Sequence, residues 1–203
     1  MKIGIDIDDT TVMTVKYMLK YADIFEEEIS GIPNDRDSFE LINDKYHVKY
    51  YLQSLYGWDD ETKSNFFKKY YKNVLEECTM LPNANKVIAK LKAEGNIIHF
   101  VTSRLMNIKD CDTEKITRDT LDKYNIPYDY LDLYIKNKIE FFKENNIDLC
   151  IEDSYDTCRQ MVDNGIKAIL MTTKMNAQIA DKEIVRANNW DEIYEAVQKL
   201  KGA

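Results

Sequence analysis

Met1-Lys2-Ile3-Gly4-Ile5-Asp6-Ile7-Asp8-Asp9-Thr10 is an apolar strand that runs directly into three carboxylates and a hydroxyl. Strands buried on both faces read as short apolar runs, and in open α/β sheets ligands bind beyond the carboxyl ends of such strands. Asp6 and Asp8 are therefore expected to face a ligand. Three carboxylates this close raise one another's pKa unless a cation lies among them, and a bound divalent metal is the simplest remedy.

Downstream of Thr10, Val12, Val15, Met18, Leu19, Ala22, Phe25 and Ile29 follow the three-and-four spacing of a helix with one buried stripe, ended by Gly31 and Pro33. Residues 34–57 mix acids with aromatic rings, and Trp58-Asp59-Asp60-Glu61 reads as a helix start with acids in its first turn. Phe66, Phe67, Tyr70, Tyr71, Val74 and Cys78 continue that helix. No second strand is expected before residue 80. A stretch of about 65 ordered residues is too long for a loop, so 14–80 is expected to be an inserted helical cap.

From Leu81-Pro82 onward, helix and strand alternate, which predicts a parallel sheet with right-handed crossovers. A helix over Ala84, Val87, Ile88 and Leu91 stops at Gly95. The strand 97–101 then ends in Thr102-Ser103-Arg104. A helix around Ile116 and Leu121, a strand near 130–135 and a short helix opened by Lys136-Asn137-Lys138 follow. Strand 147–151 delivers Glu152-Asp153-Ser154, strand 166–171 comes next, and Asp191 is expected to cap a last helix. The expected fold is thus α/β: a Rossmann-like parallel core of 1–13 and 81–203 carrying the cap.

The 203 residues, 44% of them hydrophobic, suffice for one such domain with an insertion. With 28 Lys plus Arg against 36 Asp plus Glu, the net charge of −8 excludes the broad basic footprint that duplex DNA requires. Any anionic substrate must be small and locally neutralised. No signal-peptide core or apolar run of transmembrane length is present, so a cytoplasmic location is expected. Cys78, Cys111, Cys150 and Cys158 form no CxxC pair and read as reduced thiols rather than a zinc site. His99, within a strand, and His47, in the polar part of the insertion, read as structural.

Three strand ends carry polar chemistry: Asp6, Asp8 and Thr10 on the first, Thr102, Ser103 and Arg104 on the second, and Glu152 and Asp153 on a later one, preceded by Lys138. Parallel strands gather those ends on one edge. Carboxylates from two of them can hold Mg²⁺, and the hydroxyls can hold phosphate oxygens. Singly, each has a bland reading as a helix cap or solvated side chain. Their order is what carries the signal.

Asp6-Ile7-Asp8-Asp9-Thr10, Thr102, Lys138 and Glu152-Asp153 resemble, in sequence order, the four motifs of the haloacid dehalogenase (HAD) superfamily. The helices after the first motif resemble its small cap. Leu81-Pro82 before the helix leading to Thr102-Ser103, and Lys-Asn-Lys ahead of paired acids, resemble the 5'(3')-deoxyribonucleotidase branch. Asp9 stands where glycine is frequent, Glu152 where this branch often has Asp, and the gap from Lys138 to Asp153 is wide, which leaves Lys136 and Lys143 as rival lysines.

The resemblance implies a Mg²⁺-dependent phosphatase. Asp6 would attack phosphorus to form an aspartyl phosphate. Asp8 would protonate the leaving oxygen and then activate water. Thr102, Ser103 and Thr10 would bind phosphate, Thr10 also steadying the turn, and Lys138 would offset charge. Asp6, the Asp8 carbonyl and Asp153 would hold the metal, with Glu152 outside the ligand set. The substrate would be a small phosphorylated metabolite, a nucleoside monophosphate if Tyr46, Tyr50, Tyr51, Tyr56 or Trp58 stacks on a base. A sugar phosphatase and a phospho-acceptor module of the response-regulator kind are the alternatives. The latter bears its phosphorylated Asp on a later strand and lacks the insertion. Oligomeric state is not encoded in these features.

Overall fold

The computed structural model describes residues 1–202 apart from Asn34 and Val48. Those two positions of the expected cap, and Ala203 of the expected core, lie outside the described residues. Among the described residues, β1 (Lys2–Ile5), β2 (Ile97–Val101), β3 (Tyr130–Asp132), β4 (Leu149–Glu152), β5 (Lys167–Met171) and β6 (Val185–Ala187) form one sheet. Its order is β3-β2-β1-β4-β5-β6, and every pairing is parallel. β1 is central, so the chain leaves it in one direction to build β2 and β3 and in the other to build β4, β5 and β6. That reversal opens a crevice at the carboxyl end of β1.

Strand periodicity divides the core. Leu149, Ile151, Ile169 and Met171 join the apolar layer of one face, whereas Cys150, Ala168 and Leu170 join the other. On the first face pack α5 (Ala84–Ala93), α6 (Thr113–Lys123) and α9 (Trp190–Lys201), through Leu91, Leu121, Ile193 and Val197. On the second lie α7 (Lys138–Asn145) and α8 (Tyr155–Asp163), through Phe142, Cys158 and Met161. Gly4 is required here: a Cβ on it would sit 2.3 Å from Phe142 Cζ, so only a bare α-carbon lets the ring lie flat on β1.

Between β1 and β2 the chain forms α1 (Thr14–Ser30), α2 (Ser38–Leu41), α3 (Tyr51–Tyr56) and α4 (Asp60–Glu77). α1 and α4 pack through Phe25 and Phe66, with Trp58 edge-on to Phe25 and stacked on Tyr56 at 4.7 Å. Their apolar side chains are continuous with the first face of the sheet. The two connections to this helical set run side by side: Met13 N–H donates to the Thr79 carbonyl and Leu81 N–H to that of Thr11, both at 2.9 Å.

Several details depart from the sequence expectation. The stretch 34–57 contains two short helices, because Asp37 caps α2 and Gly57, at φ 71°, ends α3. β6 was not expected. The last helix is capped by Asn189, whose side chain accepts from Glu192 N–H, and Asp191 lies inside its first turn. All four cysteines are free, Cys78, Cys150 and Cys158 being buried.

Candidate active site

Beyond Ile5 the chain turns sharply. Asp6 N–H still donates to Ile151 at 2.9 Å, extending the β1–β4 pairing, while Thr11 and Val12 N–H both return to the Ile7 carbonyl. Asp9 takes φ 56°, the left-handed region that explains why this position favours glycine, and Asp tolerates it. Its carboxylate accepts from Val15 N–H in the first turn of α1. The turn thereby lifts Asp6 and Asp8 into a cavity of about 920 Å³ between the sheet edge and the inserted helices.

At the floor, Lys138 is buried, and its ammonium donates to Asp6 Oδ1 at 2.5 Å and to Glu152 Oε2 at 2.6 Å. Of the rivals, Lys136 lines the cavity but is exposed and, among the described residues, pairs with neither acid, and Lys143 donates to Asn164 Oδ1. Asp6, Glu152 and Asp153, all buried, each offer an oxygen, and those oxygens lie within 4.8 Å of one another. Burial, followed by the Glu152 charge, pushes the Asp6 carboxyl up to about 7 despite Lys138. Burial and the Glu152 charge likewise hold Asp153 well above the carboxylate range. For Lys138 burial opposes the charged form, but the Asp6 and Glu152 charges outweigh it, so Lys138 stays protonated. A hard divalent cation suits this all-oxygen donor set and would relieve the excess negative charge.

Asp8 is handled differently. Arg104, 4% exposed, reaches it through Nε at 3.1 Å and Nη2 at 2.8 Å, and Thr14 Oγ1 donates to Oδ1 at 2.5 Å. Burial pushes the Asp8 carboxyl up, but the guanidinium charge and these hydrogen bonds prevail and hold it below the usual range. Arg104 is fixed in turn by Thr117 Oγ1 at 2.8 Å. An arginine after a strand-end Thr-Ser was legible only as a nearby cation. Its buried position follows from Thr117 on α6, a contact that spacing does not reveal.

Thr102 Oγ1 lies 3.5 Å from Asp8 Oδ2, and Ser103 Oγ donates to the Ile135 carbonyl; both residues line the cavity. Thr10 does not. Its hydroxyl is buried without a partner and its carbonyl accepts from Trp190 Nε1 at 2.9 Å, so the chain turns Thr10 into the core. The hydroxyl that steadies the turn is that of Thr11, donating to the Asp6 carbonyl at 2.8 Å.

The rings divide in the same way. Tyr51 lines the cavity, and burial together with the charges of Asp9 and Asp8 raises its phenol well above 10.0. Trp58 and Tyr56 do not line it: the indole donates to Glu26 at 2.6 Å and the Tyr56 hydroxyl to Asp23 at 2.7 Å, both within the helical set. Tyr50 and Tyr46 do not line it either. Phe67 and Tyr71 do, on a face of α4 next to that of Phe66, and the Tyr71 hydroxyl accepts from Leu105 N–H at 3.0 Å. Their four-residue spacing was visible in the sequence but was absorbed into a single packing stripe. His47 is also at the cavity, its Nε2 2.9 Å from Asp156 Oδ2, whereas His99 is buried against Asp132 and stacked on Tyr130.

A family model described as 5' nucleotidase, deoxy (pyrimidine), cytosolic type C protein (NT5C) matches residues 2–202. The chain belongs to the NT5C family. Among curated relatives of this NT5C member, Nucleotidase CA_C3379 of Clostridium acetobutylicum is 32% identical over 160 residues, covering 78% of this chain and 80% of the relative. Among solved structures, a HAD-superfamily hydrolase of subfamily IA from Geobacter sulfurreducens superposes with a TM-score of 0.65 at 14% identity, covering 97% of this chain and 95% of that one. CbbY from Rhodobacter sphaeroides, in complex with phosphate, gives 0.63 at 13%, with 95% of each chain covered. These structural likenesses establish the HAD fold, and membership of NT5C makes the protein a phosphatase. No helix among the described residues is long and apolar enough to cross a membrane.

Proposed function

We propose that the protein is a Mg²⁺-dependent phosphomonoesterase that forms an aspartyl phosphate on Asp6 and acts on nucleoside monophosphates. One observation carries this reading: two carboxylates at the end of β1 are separated electrostatically, Asp6 against Lys138 and two further buried acids, Asp8 against Arg104. Paired acids whose surroundings push them apart are the usual basis for dividing nucleophilic from acid–base work. The nucleotidase relative supports the nucleotide substrate, as do Tyr51 and Phe67 on the cavity wall.

Asp6 and Asp153, with the Asp8 carbonyl and, contrary to the sequence expectation, Glu152, would hold the metal, which would supply positive charge to the phosphate oxygens. Lys138 engages Asp6 Oδ1, leaving Oδ2 to attack phosphorus. Thr102 and Ser103 orient the phosphate, and Asp8 protonates the departing oxygen. For that half-reaction Asp8 must carry a proton, against the pull of the Arg104 guanidinium. In the second half, ionised Asp8 takes a proton from water, which cleaves the acyl phosphate. Residues 14–80 form the cap that closes over the core of 1–13 and 81–203, and free thiols fit a cytoplasmic location.

The test is phosphate release from nucleotides, sugar phosphates and a generic aryl phosphate, with Mg²⁺ or chelator. Release that persists in excess chelator would remove the metal from this account, and preference for sugar phosphates would remove the nucleotide. Acid quench with ³²P-labelled substrate should leave label on wild-type protein and none on Asp6→Asn.

A further inference from the structure

The phosphate-binding floor uses little of the cavity, and the remainder is lined unevenly. α4 contributes Lys63, Phe67 and Tyr71, spaced by four residues and therefore on one helical face. At 1.5 Å per residue this stripe spans about 12 Å, with Tyr71 at the Asp8 end and Lys63 two turns nearer the mouth. Lys49 and Lys136 also line the cavity.

These cations are not neutralised. Lys63 donates to a neutral acceptor, Gln53 Oε1, at 3.0 Å. Lys49 lies over the Tyr50 ring, and among the described residues neither Lys49 nor Lys136 has a carboxylate partner. Elsewhere on α4, Lys69 is paired with Glu28 and Lys72 with Glu76. Asp156, which also lines the cavity, is paired with His47. In a chain of net charge −8, three lysines without acids around one cavity are an electropositive rim above an acidic floor. The floor cations Arg104 and Lys138 are already committed to Asp8, Asp6 and Glu152.

We propose that the rim binds a second anionic group, so that the preferred substrates are phosphomonoesters whose leaving group itself carries a phosphate or carboxylate, held by Lys63 and Lys49 while the first phosphate meets Asp6. This rests on the phosphatase reading and goes beyond its nucleoside monophosphates, which would be turned over less efficiently than nucleotides bearing a second phosphate. A cation two helical turns from the reacting end adds affinity only to a substrate long enough to reach it. A diffuse field that merely attracts phosphate would raise the association rate of every phosphate ester alike.

The test uses matched pairs in which one member lacks the second anion: a nucleoside 3',5'-bisphosphate against its 5'-monophosphate, and 6-phosphogluconate against glucose 6-phosphate, all with Mg²⁺ at fixed ionic strength. The first pair reports a second phosphate, the second a carboxylate. In at least one pair the doubly anionic member should have a kcat/KM at least ten-fold higher. That ratio should fall to near one in Lys49→Met/Lys63→Met and persist in Lys63→Arg. Ratios near one in wild type for both pairs would overturn the proposal and leave the phosphatase standing. A ratio that survives the double substitution would overturn the assignment to these lysines, as would losses equal for both members of a pair. Absence of turnover on every substrate, including an aryl phosphate, would overturn the phosphatase reading and this inference with it.

Discussion

Replacing Lys138 by Met removes an ammonium held within 2.6 Å of two buried carboxylates and keeps most of the aliphatic stem. Asp6 and Glu152 are then left facing each other. Breaking a buried ion pair by deleting one partner costs about 3–5 kcal/mol, because the remaining charge is stranded. The stranded carboxylates relieve their repulsion by sharing a proton, so near neutrality the folded variant should bind about one more proton than wild type. One extra proton changes stability by about 1.4 kcal/mol per pH unit. A loss of about 4 kcal/mol at pH 7 should therefore shrink to between about 1 and 2 kcal/mol at pH 5. Urea denaturation of metal-free protein measures this. With a slope of about 2 kcal/mol per molar urea, the midpoint should fall by roughly 2 M at pH 7 and by less than about 1 M at pH 5. A midpoint shift under about 0.5 M at pH 7, or the same shift at both pH values, would refute the buried three-charge arrangement.

Asp6→Asn should abolish phosphate release while the protein stays folded, and Asp8→Asn should lower turnover by about 10²–10⁴-fold; comparable turnover in either, with native circular dichroism, rejects that assignment. Because Asp6 and Asp9 are raised from 3.8 to about 7 and about 8, the folded metal-free protein holds protons that the unfolded chain has released. Its stability should fall as pH rises from about 4 to 8, and Mg²⁺ should flatten that slope; thermal melts across this range that show no slope contradict the acid cluster. The lowered Asp8 carboxyl acts in the opposite sense, its contribution being present above its unfolded value of 3.8 and lost as pH falls through its folded value, below this window. Phe67→Ala should raise KM for a nucleoside monophosphate by about ten-fold, whereas Trp58→Ala should cost about 3–5 kcal/mol of stability through the cap core; steady-state kinetics and urea melts separate the two. Gly4→Ala should destabilise by about 1–3 kcal/mol as Phe142 is displaced, and an unchanged urea midpoint would mean that the ring moves without cost.

The chemistry-bearing strand ends were legible because burial on both faces and an abrupt change to carboxylates are local features of sequence. Asp6, Asp8 and Asp153 could be located from order alone, whereas order left Lys138 level with Lys136 and Lys143, and only its contacts with Asp6 and Glu152 separate it from them. Arg104 on Asp8 could not, since it depends on α6 supplying Thr117 thirteen positions away. Thr10 and Thr11 exchange parts because Thr10 turns into the core, where Trp190 holds its carbonyl, and Thr11 reaches back to the Asp6 carbonyl, contacts that sequence order does not reveal. β6 escaped notice because Val185-Arg186-Ala187 is a three-residue edge strand with no apolar run. Of the five candidate rings Tyr51 lines the cavity, while Tyr56 and Trp58 pack among the inserted helices. A helix with aromatics at consecutive positions presents two faces, and α4 spends Phe66 on packing and Phe67 on the cavity.

The paired hydrogen bonds between Met13 and Thr79 and between Leu81 and Thr11 place the departure and return of some 65 residues at one point of the sheet edge. A chain segment tied off in this way contributes nothing to how the strands on either side are threaded. Its length and contents can change in the course of descent without any strand of the sheet having to find a new neighbour. The carboxylates of β1 lie on the near side of that tie, so a lineage could trade one set of inserted helices for another and inherit the reaction intact.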